Sequence, residues 1–163
     1  MNILIIHYSR TGTTQAVAGA AGDLLAKKGH AATRVALQPR VDLPYPLWLA
    51  LSFVPGSRFP LAAPPDPSGF DACLLALPKW TFACPPVNTF LAHQGSRLPP
   101  TAVLVTCGGW DQYRYLAQLE RRLQGLGVAV LGGLALRKRE LGRDPLPQAL
   151  SDLLGTCFPM SGS

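Results

Sequence analysis

Hydrophobic side chains fall along this chain in short unbroken runs, separated by polar, glycine-rich or proline-rich stretches. Residues 2–7 (Asn-Ile-Leu-Ile-Ile-His) form the first run, and its lack of alternation is the pattern of a strand buried on both faces. Runs at 71–77, 101–106 and 128–136 have the same character, while 30–37 alternates in a β-compatible way. Residues 13–28 are rich in Ala and Leu, contain no proline and stop at Gly29, which predicts a helix. Helices are also predicted over 86–93, 112–126 and 146–154, each ending near a glycine or a break. The resulting order is β-α-β-irregular-β-α-β-α-β-α. Parallel strands need crossover connections, normally helical, so this alternation predicts an α/β fold with a mostly parallel sheet and helices on both faces. Ligands in such a sheet bind at the carboxyl ends of the strands, which directs attention to the loops after the first, third and fourth strands.

The irregular stretch 39–67 holds eight of the sixteen prolines and one apolar segment, Leu47-Trp48-Leu49-Ala50-Leu51-Ser52-Phe53-Val54. One or two turns of helix fit there, far short of the ~20 residues that span a bilayer. The segment packs against the sheet, covers a ligand as a lid, or forms a membrane- or partner-facing patch. The expected organisation is one domain over 1–155 and a loosely ordered tail over 156–163.

At 163 residues and 48% hydrophobic, the chain has enough apolar material for one sheet covered on both faces and too little length for two comfortable domains. Fifteen Lys and Arg against nine Asp and Glu give +6, which favours anionic contacts: a phosphorylated cofactor, an acidic partner or an anionic lipid surface. The basic residues are scattered apart from Arg137-Lys138-Arg139, so nucleic acid is not expected. Met1 runs directly into the first strand without a basic leader, and the expected location is cytoplasmic. Cys73, Cys84, Cys107 and Cys157 lack C-x-x-C spacing and read as reduced thiols. His7, His30 and His93 lack metal-ligand spacing, so neither a metal nor a catalytic histidine is expected.

The first loop, Ser9-Arg10-Thr11-Gly12-Thr13-Thr14, joins a buried strand to a helix N-terminus, where unpaired N–H groups and the helix dipole favour an anion. Four hydroxyls in six residues add donors for a phosphate. The lysine of G-x-x-x-x-G-K-[ST] and the glycines of G-x-G-x-x-G are both missing, which argues against nucleotide hydrolysis and against a dinucleotide fingerprint. S-x-T-G-x-T directly after the first strand resembles the FMN phosphate loop of flavodoxins. That resemblance implies a five-stranded, three-layer flavodoxin-like fold of strand order 2-1-3-4-5. It also implies FMN as cofactor, with Ser9, Thr11, Gly12, Thr13 and Thr14 around the phosphate and Arg10 toward solvent or the phosphate's rim.

The resemblance continues through Phe70-Asp71-Ala72-Cys73-Leu74-Leu75-Ala76-Leu77-Pro78-Lys79-Trp80, similar to the flavodoxin third strand and its loop, and through the helix start Pro85-Pro86-Val87-Asn88. It implies that Pro78, Lys79, Trp80, Thr81 and Phe82 border the flavin ring, with Trp80 stacking on it or serving as ordinary packing. Cys107, Gly108, Gly109 and Trp110 form the third loop, with Trp110 or Tyr113 on the other ring face. Asp111 is expected to cap the following helix, and Cys107 to be a small buried residue rather than a reactive thiol. Three functions follow from the resemblance. One is an FMN electron carrier working with a redox partner protein; another is an NAD(P)H-dependent reductase of quinones or other small acceptors, with a homodimer as one possible state. The third is a cofactor-free interaction module.

Overall fold

The computed structural model describes residues 1–141 and 148–160. Strands β1 (Asn2–His7), β2 (Ala31–Ala36), β3 (Ala72–Pro78), β4 (Thr101–Cys107) and β5 (Val130–Arg137) form one sheet in the order β2-β1-β3-β4-β5. Every neighbouring pair is parallel. The helices are α1 (Thr13–Lys27), α2 (Tyr45–Ser52), α3 (Pro85–Gln94), α4 (Gln112–Gly125), the single turn α5 (Lys138–Leu141) and α6 (Gln148–Cys157). A 3₁₀ turn, Gly95–Arg97, follows α3.

Continuous apolar runs become two cores because successive strand residues face opposite ways. Ile3 and Ile5 pack with Val17, Ala21 and Leu25 of α1 and Leu150 and Leu154 of α6. Leu4 and Ile6 pack on the other face with Phe90 and Leu91 of α3 and Leu116, Leu119 and Leu123 of α4. Gly133 of β5 lies directly under α4, where a Cβ would come within 3.0 Å of Leu116. The missing side chain therefore sets how closely α4 approaches the sheet. β2, the edge strand beyond β1, is largely exposed and carries Arg34, a charge of the kind that discourages edge-to-edge pairing.

Two expectations at the C-terminal end change. The helix expected over 146–154 runs from Gln148 to Cys157, and residues 146 and 147 lie outside the described residues. The expected tail starts too early, because Thr156 and Cys157 belong to α6 and Phe158 is fully buried in the α1–α6 core. The apolar surface of Phe158 is more stable there than in water.

The proline-rich stretch is a closed strap with fixed anchors. Its ends meet through an antiparallel bridge between Pro39 and Leu61, with Arg40 N–H donating to Pro60 O at 2.8 Å and Ala62 N–H to Gln38 O at 2.9 Å. The buried Thr89 hydroxyl accepts from Phe59 N–H at 2.8 Å and contacts Phe59 O at 2.7 Å, while Asn88 Nδ2 donates to Ser57 O at 2.9 Å. Within the strap, α2 turns Trp48 inward to meet Phe59 and Trp80 edge-on, at ring-centroid distances of 4.9 and 5.8 Å. Trp48 is 1% exposed and donates from Nε1 to Asp42 Oδ1 at 3.1 Å. It is thus a core residue of the strap as well as a wall of the site described below. Trp48→Ala is expected to cost about 3–5 kcal/mol in a denaturant titration, the range for deleting a buried large aromatic; a loss below about 1 kcal/mol would mean the strap does not depend on it.

His7, at the end of β1, is buried and its Nδ1 has no partner among the described residues. Burial, and after it the Arg34 cation, hold the imidazole below its ordinary value, partly opposed by a backbone bond at Val35. The unfolded chain then takes up a proton before the folded one does. Stability from neutral His7 is present above about pH 6.5 and is lost as pH falls through the depressed folded value. The thermal midpoint of the wild type should therefore fall more steeply between about pH 6.5 and 5 than that of His7→Gln. Parallel curves would remove His7 as the source.

Candidate functional site

The first loop turns at Gly12, whose φ of 88° is a left-handed conformation that favours glycine. A Cβ at Gly12 would meet nothing within 4 Å, so the turn rather than a close contact requires glycine there. Gly12 N–H donates to Ser9 Oγ at 3.0 Å, which folds the loop over the start of α1. Thr11 and Thr13 hydroxyls lie 3.4 Å apart at the surface. No side chain caps α1, so its first-turn N–H groups stay open to an incoming acceptor. Thr14 is buried, and its hydroxyl shares a 2.7 Å bond with Thr106 of β4. It braces the first loop against the carboxyl end of β4. Arg10 leaves the loop and sits 5.2 Å from the centre of the Tyr45 ring, a cation–π contact with α2.

In the second loop, Trp80 is half-buried between Tyr8, 5.5 Å away edge-on, and Trp48. Its ring packs on the strap and also lines the cavity. Lys79 Nζ donates to the Trp110 carbonyl at 2.9 Å and lies 5.4 Å from the Trp110 ring centre, tying the second loop to the third. Trp110 itself is 80% exposed.

Asp111 occupies the N-cap position of α4 but makes no side-chain capping bond, which corrects its expected role. Its φ of 64° is the one positive value among the described non-glycine residues, and Asp tolerates that region better than most side chains do. Cys107 is buried, with Sγ donating to Leu136 O at 3.6 Å. Burial pushes its thiol up despite the nearby Lys79 and Arg137 cations, so it remains protonated. All four cysteines are free and buried.

These loops open onto one cavity of about 670 Å³ at the carboxyl ends of β1, β3 and β4. Of the residues expected from sequence, Ser9, Arg10, Thr11, Thr13, Thr14, Pro78, Lys79, Trp80, Thr81, Phe82, Cys107, Gly108 and Trp110 line it. Gly12, Gly109 and Tyr113 do not. Gly108 and Gly109 have no positive φ, and a Cβ on either would meet nothing within 4 Å, so no protein contact demands a glycine at either position. At Gly108 the open space belongs to the cavity.

A second set of walls comes from α2, within the segment expected as packing, as a lid or as an outward patch, and from α4 and α5, where sequence reasoning missed them. Tyr45, Leu49 and Ser52 of α2 enter beside Trp48, and Arg114, Tyr115 and Gln118 enter from α4, with Lys138 at the end of β5. The signal available for the last four was their position just after the carboxyl ends of β4 and β5, at the edge that holds the other loops. Among the described residues the lining is cationic, since Arg10, Lys79, Arg114 and Lys138 line the cavity against the single carboxylate of Asp111. Among the described residues no cluster of His, Cys, Asp or Glu is arranged to hold a metal, and no helix is long and apolar enough to cross a membrane.

Comparison with known proteins adds the following. No family model matches the chain. A protein of Archaeoglobus fulgidus, known only as an uncharacterized protein, is 35% identical over 103 residues, covering 63% of this chain and 68% of that protein. Among solved structures, a "putative flavoprotein" from Bacteroides eggerthii superposes with a TM-score of 0.73 at 17% identity, over 94% of this chain and 95% of that one. Megasphaera elsdenii flavodoxin in its two-electron reduced form superposes with 0.62 at 16% identity, over 93% and 96%. The Streptococcus flavodoxin gives 0.64 at 13% identity, over 96% and 97%. At these identities the structural likeness speaks for the fold. The chain has the flavodoxin-like fold, and it belongs to one sequence family with the Archaeoglobus fulgidus protein.

Proposed function

We propose that the cavity holds one FMN non-covalently and that the protein serves electron transfer. The observation that carries this reading is a single cavity with an uncapped helix N-terminus at one wall and tryptophan-bearing loops at another. Its volume of about 670 Å³ suits a ligand of this class, since small-molecule sites commonly run to roughly 300–1,000 Å³. Likeness to proteins named flavodoxin and flavoprotein supports a flavin over other phosphorylated ligands.

On this reading the open N–H groups of the first turn of α1, with the Ser9, Thr11 and Thr13 hydroxyls, hold the phosphate through charge-assisted hydrogen bonds. Trp80 and Trp110 offer apolar faces to the ring, and the strap keeps water from one side of it. Bound FMN supplies one- and two-electron redox chemistry, which a protein tunes through stacking and nearby charge. Here the nearby charge is positive. Lys79 is held by the Trp110 carbonyl at the junction of the second and third loops, where it favours negative charge in the cavity. That cationic lining favours a second version of the same reading, in which the protein takes electrons from NAD(P)H and passes them to a quinone or another small acceptor. For the carrier version, the +6 chain calls for a redox partner with an acidic docking face.

The phosphate assignment is tested with two ligands. Thr11→Ala and Thr13→Ala should each weaken FMN by roughly tenfold or more, the scale of a hydrogen bond to a charged group, and leave riboflavin almost unaffected. Equal losses for both ligands would contradict it. The same samples, followed by absorbance under anaerobic NADH or NADPH, separate the two versions: bleaching selects the reductase, and a stable flavin spectrum selects the carrier.

The charge assignment is tested electrochemically. Lys79→Ala should lower the FMN midpoint potential by tens of millivolts, on the order expected for removing one partly screened charge. An unchanged potential would mean that Lys79 does not act on the ring.

A further inference from the structure

One surface remains unaccounted for by the cavity. α2 contains no charged residue, and only Trp48 and Ser52 of its eight residues are buried. A helix that is apolar all round is ordinarily enclosed in a core. Here its outer half is open: Leu47 is 51% exposed, and Phe53 and Val54, in the turn that ends the helix, are 53% and 54% exposed. Phe82 of the second loop, 64% exposed, lies against Phe53 with ring centres 6.0 Å apart. These side chains form an apolar patch beside the cavity, of the kind that marks a contact surface.

We infer that this outer half of α2 docks on an anionic lipid bilayer surface. Two observations select that occupant. First, the polar groups of the segment other than the exposed Tyr45 hydroxyl are largely used internally. Trp48 Nε1 is bonded to Asp42, Ser52 Oγ to Leu49 O, and Ser57 Oγ to Leu51 O. Ser52 O accepts from both Phe82 N–H and Ala83 N–H, and the Phe53 and Val54 N–H groups donate back into the helix. The patch thus presents hydrocarbon with little left to pair. Protein interfaces carry about one hydrogen bond per 100–200 Å², whereas the acyl region of a bilayer asks for none.

Second, the charge around the patch is positive. Arg10 stands over Tyr45 of α2, and Arg40 and Arg58 lie on either side of the segment in sequence, with no ion pair among the described residues. Of the two carboxylates of the strap, Asp66 is paired with Arg97, and Asp42 accepts from the neutral Trp48 indole. Apolar side chains bordered by arginines suit the boundary between acyl chains and anionic headgroups. Tyr45 and Leu49 of the same helix line the cavity, so docking sets the cavity mouth near the interface. Only the corollary that a lipid-soluble acceptor reaches a flavin there rests on the proposed function; the docking itself does not.

The test is vesicle co-sedimentation of the full chain, with and without added FMN, using phosphatidylcholine alone and phosphatidylcholine mixed with phosphatidylglycerol. Binding is expected on the mixed vesicles, with or without FMN, and should weaken as salt rises. The double variant Leu47→Glu/Phe53→Glu should lower the partition coefficient about tenfold or more, and Arg58→Ala about fivefold. Unchanged circular dichroism and melting establish that both variants fold, and Arg58→Ala keeps the test valid should the double variant fail to. Wild-type protein that stays off mixed vesicles overturns the inference, as does binding indifferent to every one of these changes. Self-association that depends on Phe53, without vesicle binding, would assign the patch to a second copy of the chain and likewise overturn it. Flavin absorbance in the same samples reports separately on the cavity.

Discussion

The burial of β1, β3 and β4 on both faces governs the rest of the molecule. A strand packed between two helical layers must carry apolar side chains throughout and must pair its backbone with its neighbours, so neither face can host polar chemistry. What remains available is the edge where strands end and helices begin. There Thr14 of α1 meets Thr106 of β4, the second loop meets the third through Lys79, and α1 begins without a side-chain cap. A cavity at that edge follows from a sheet order that places β1 directly beside β3, and β3 beside β4.

The same constraint explains which parts of the structure were legible in the sequence. An unbroken apolar run has few alternatives to a doubly buried strand, so Asn2–His7 emerges with its expected limits and β3 to β5 differ by a residue or two. Sheet order came from the likeness of the first two loops to flavodoxins, because periodicity is silent on which strands are neighbours. The single turns Gly95–Arg97 and Lys138–Leu141 are too short to show a helical period. In the expected tail, Cys157 and Phe158 were a visible apolar pair. Their burial depends on a groove between α1 and α6 that exists only in the folded chain.

Site residues divide on the same principle. Ser9 to Thr14 and Pro78 to Phe82 are consecutive, so a local pattern announces them. Arg114 and Gln118 come from α4 and Lys138 from α5, and they meet the first loop only through the sheet. The strap is an intermediate case. Its prolines and its apolar segment announced something unusual, but its position rests on polar groups of α3 that look unremarkable in sequence. Thr89 and Asn88 are buried, and each would carry an unmet hydrogen-bonding demand if the strap moved away. Arg122 of α4 adds to this by donating to Asn88 Oδ1 at 2.6 Å, which orients the amide toward Ser57.

Because α2 is short and held at both ends, its two sides cannot respond independently. Trp48 locks the helix to Trp80 of the second loop, while the Phe82 and Ala83 N–H groups hold its last carbonyl. A displacement of the outer half by a contacting surface is therefore carried to Tyr45 and Leu49 in the cavity wall, and to the loop that bears Lys79. Linkage makes the effect reciprocal: if a ligand in the cavity prefers one position of α2, a surface contact that favours that position must strengthen the ligand by the same factor. The size of the factor is bounded by the difference in binding between the two positions of the helix, and it vanishes if the helix does not move. An eight-residue element facing two ways, held by Trp48 and by its last carbonyl, couples what occupies the cavity to what lies against the outside only to the extent that it moves between two positions.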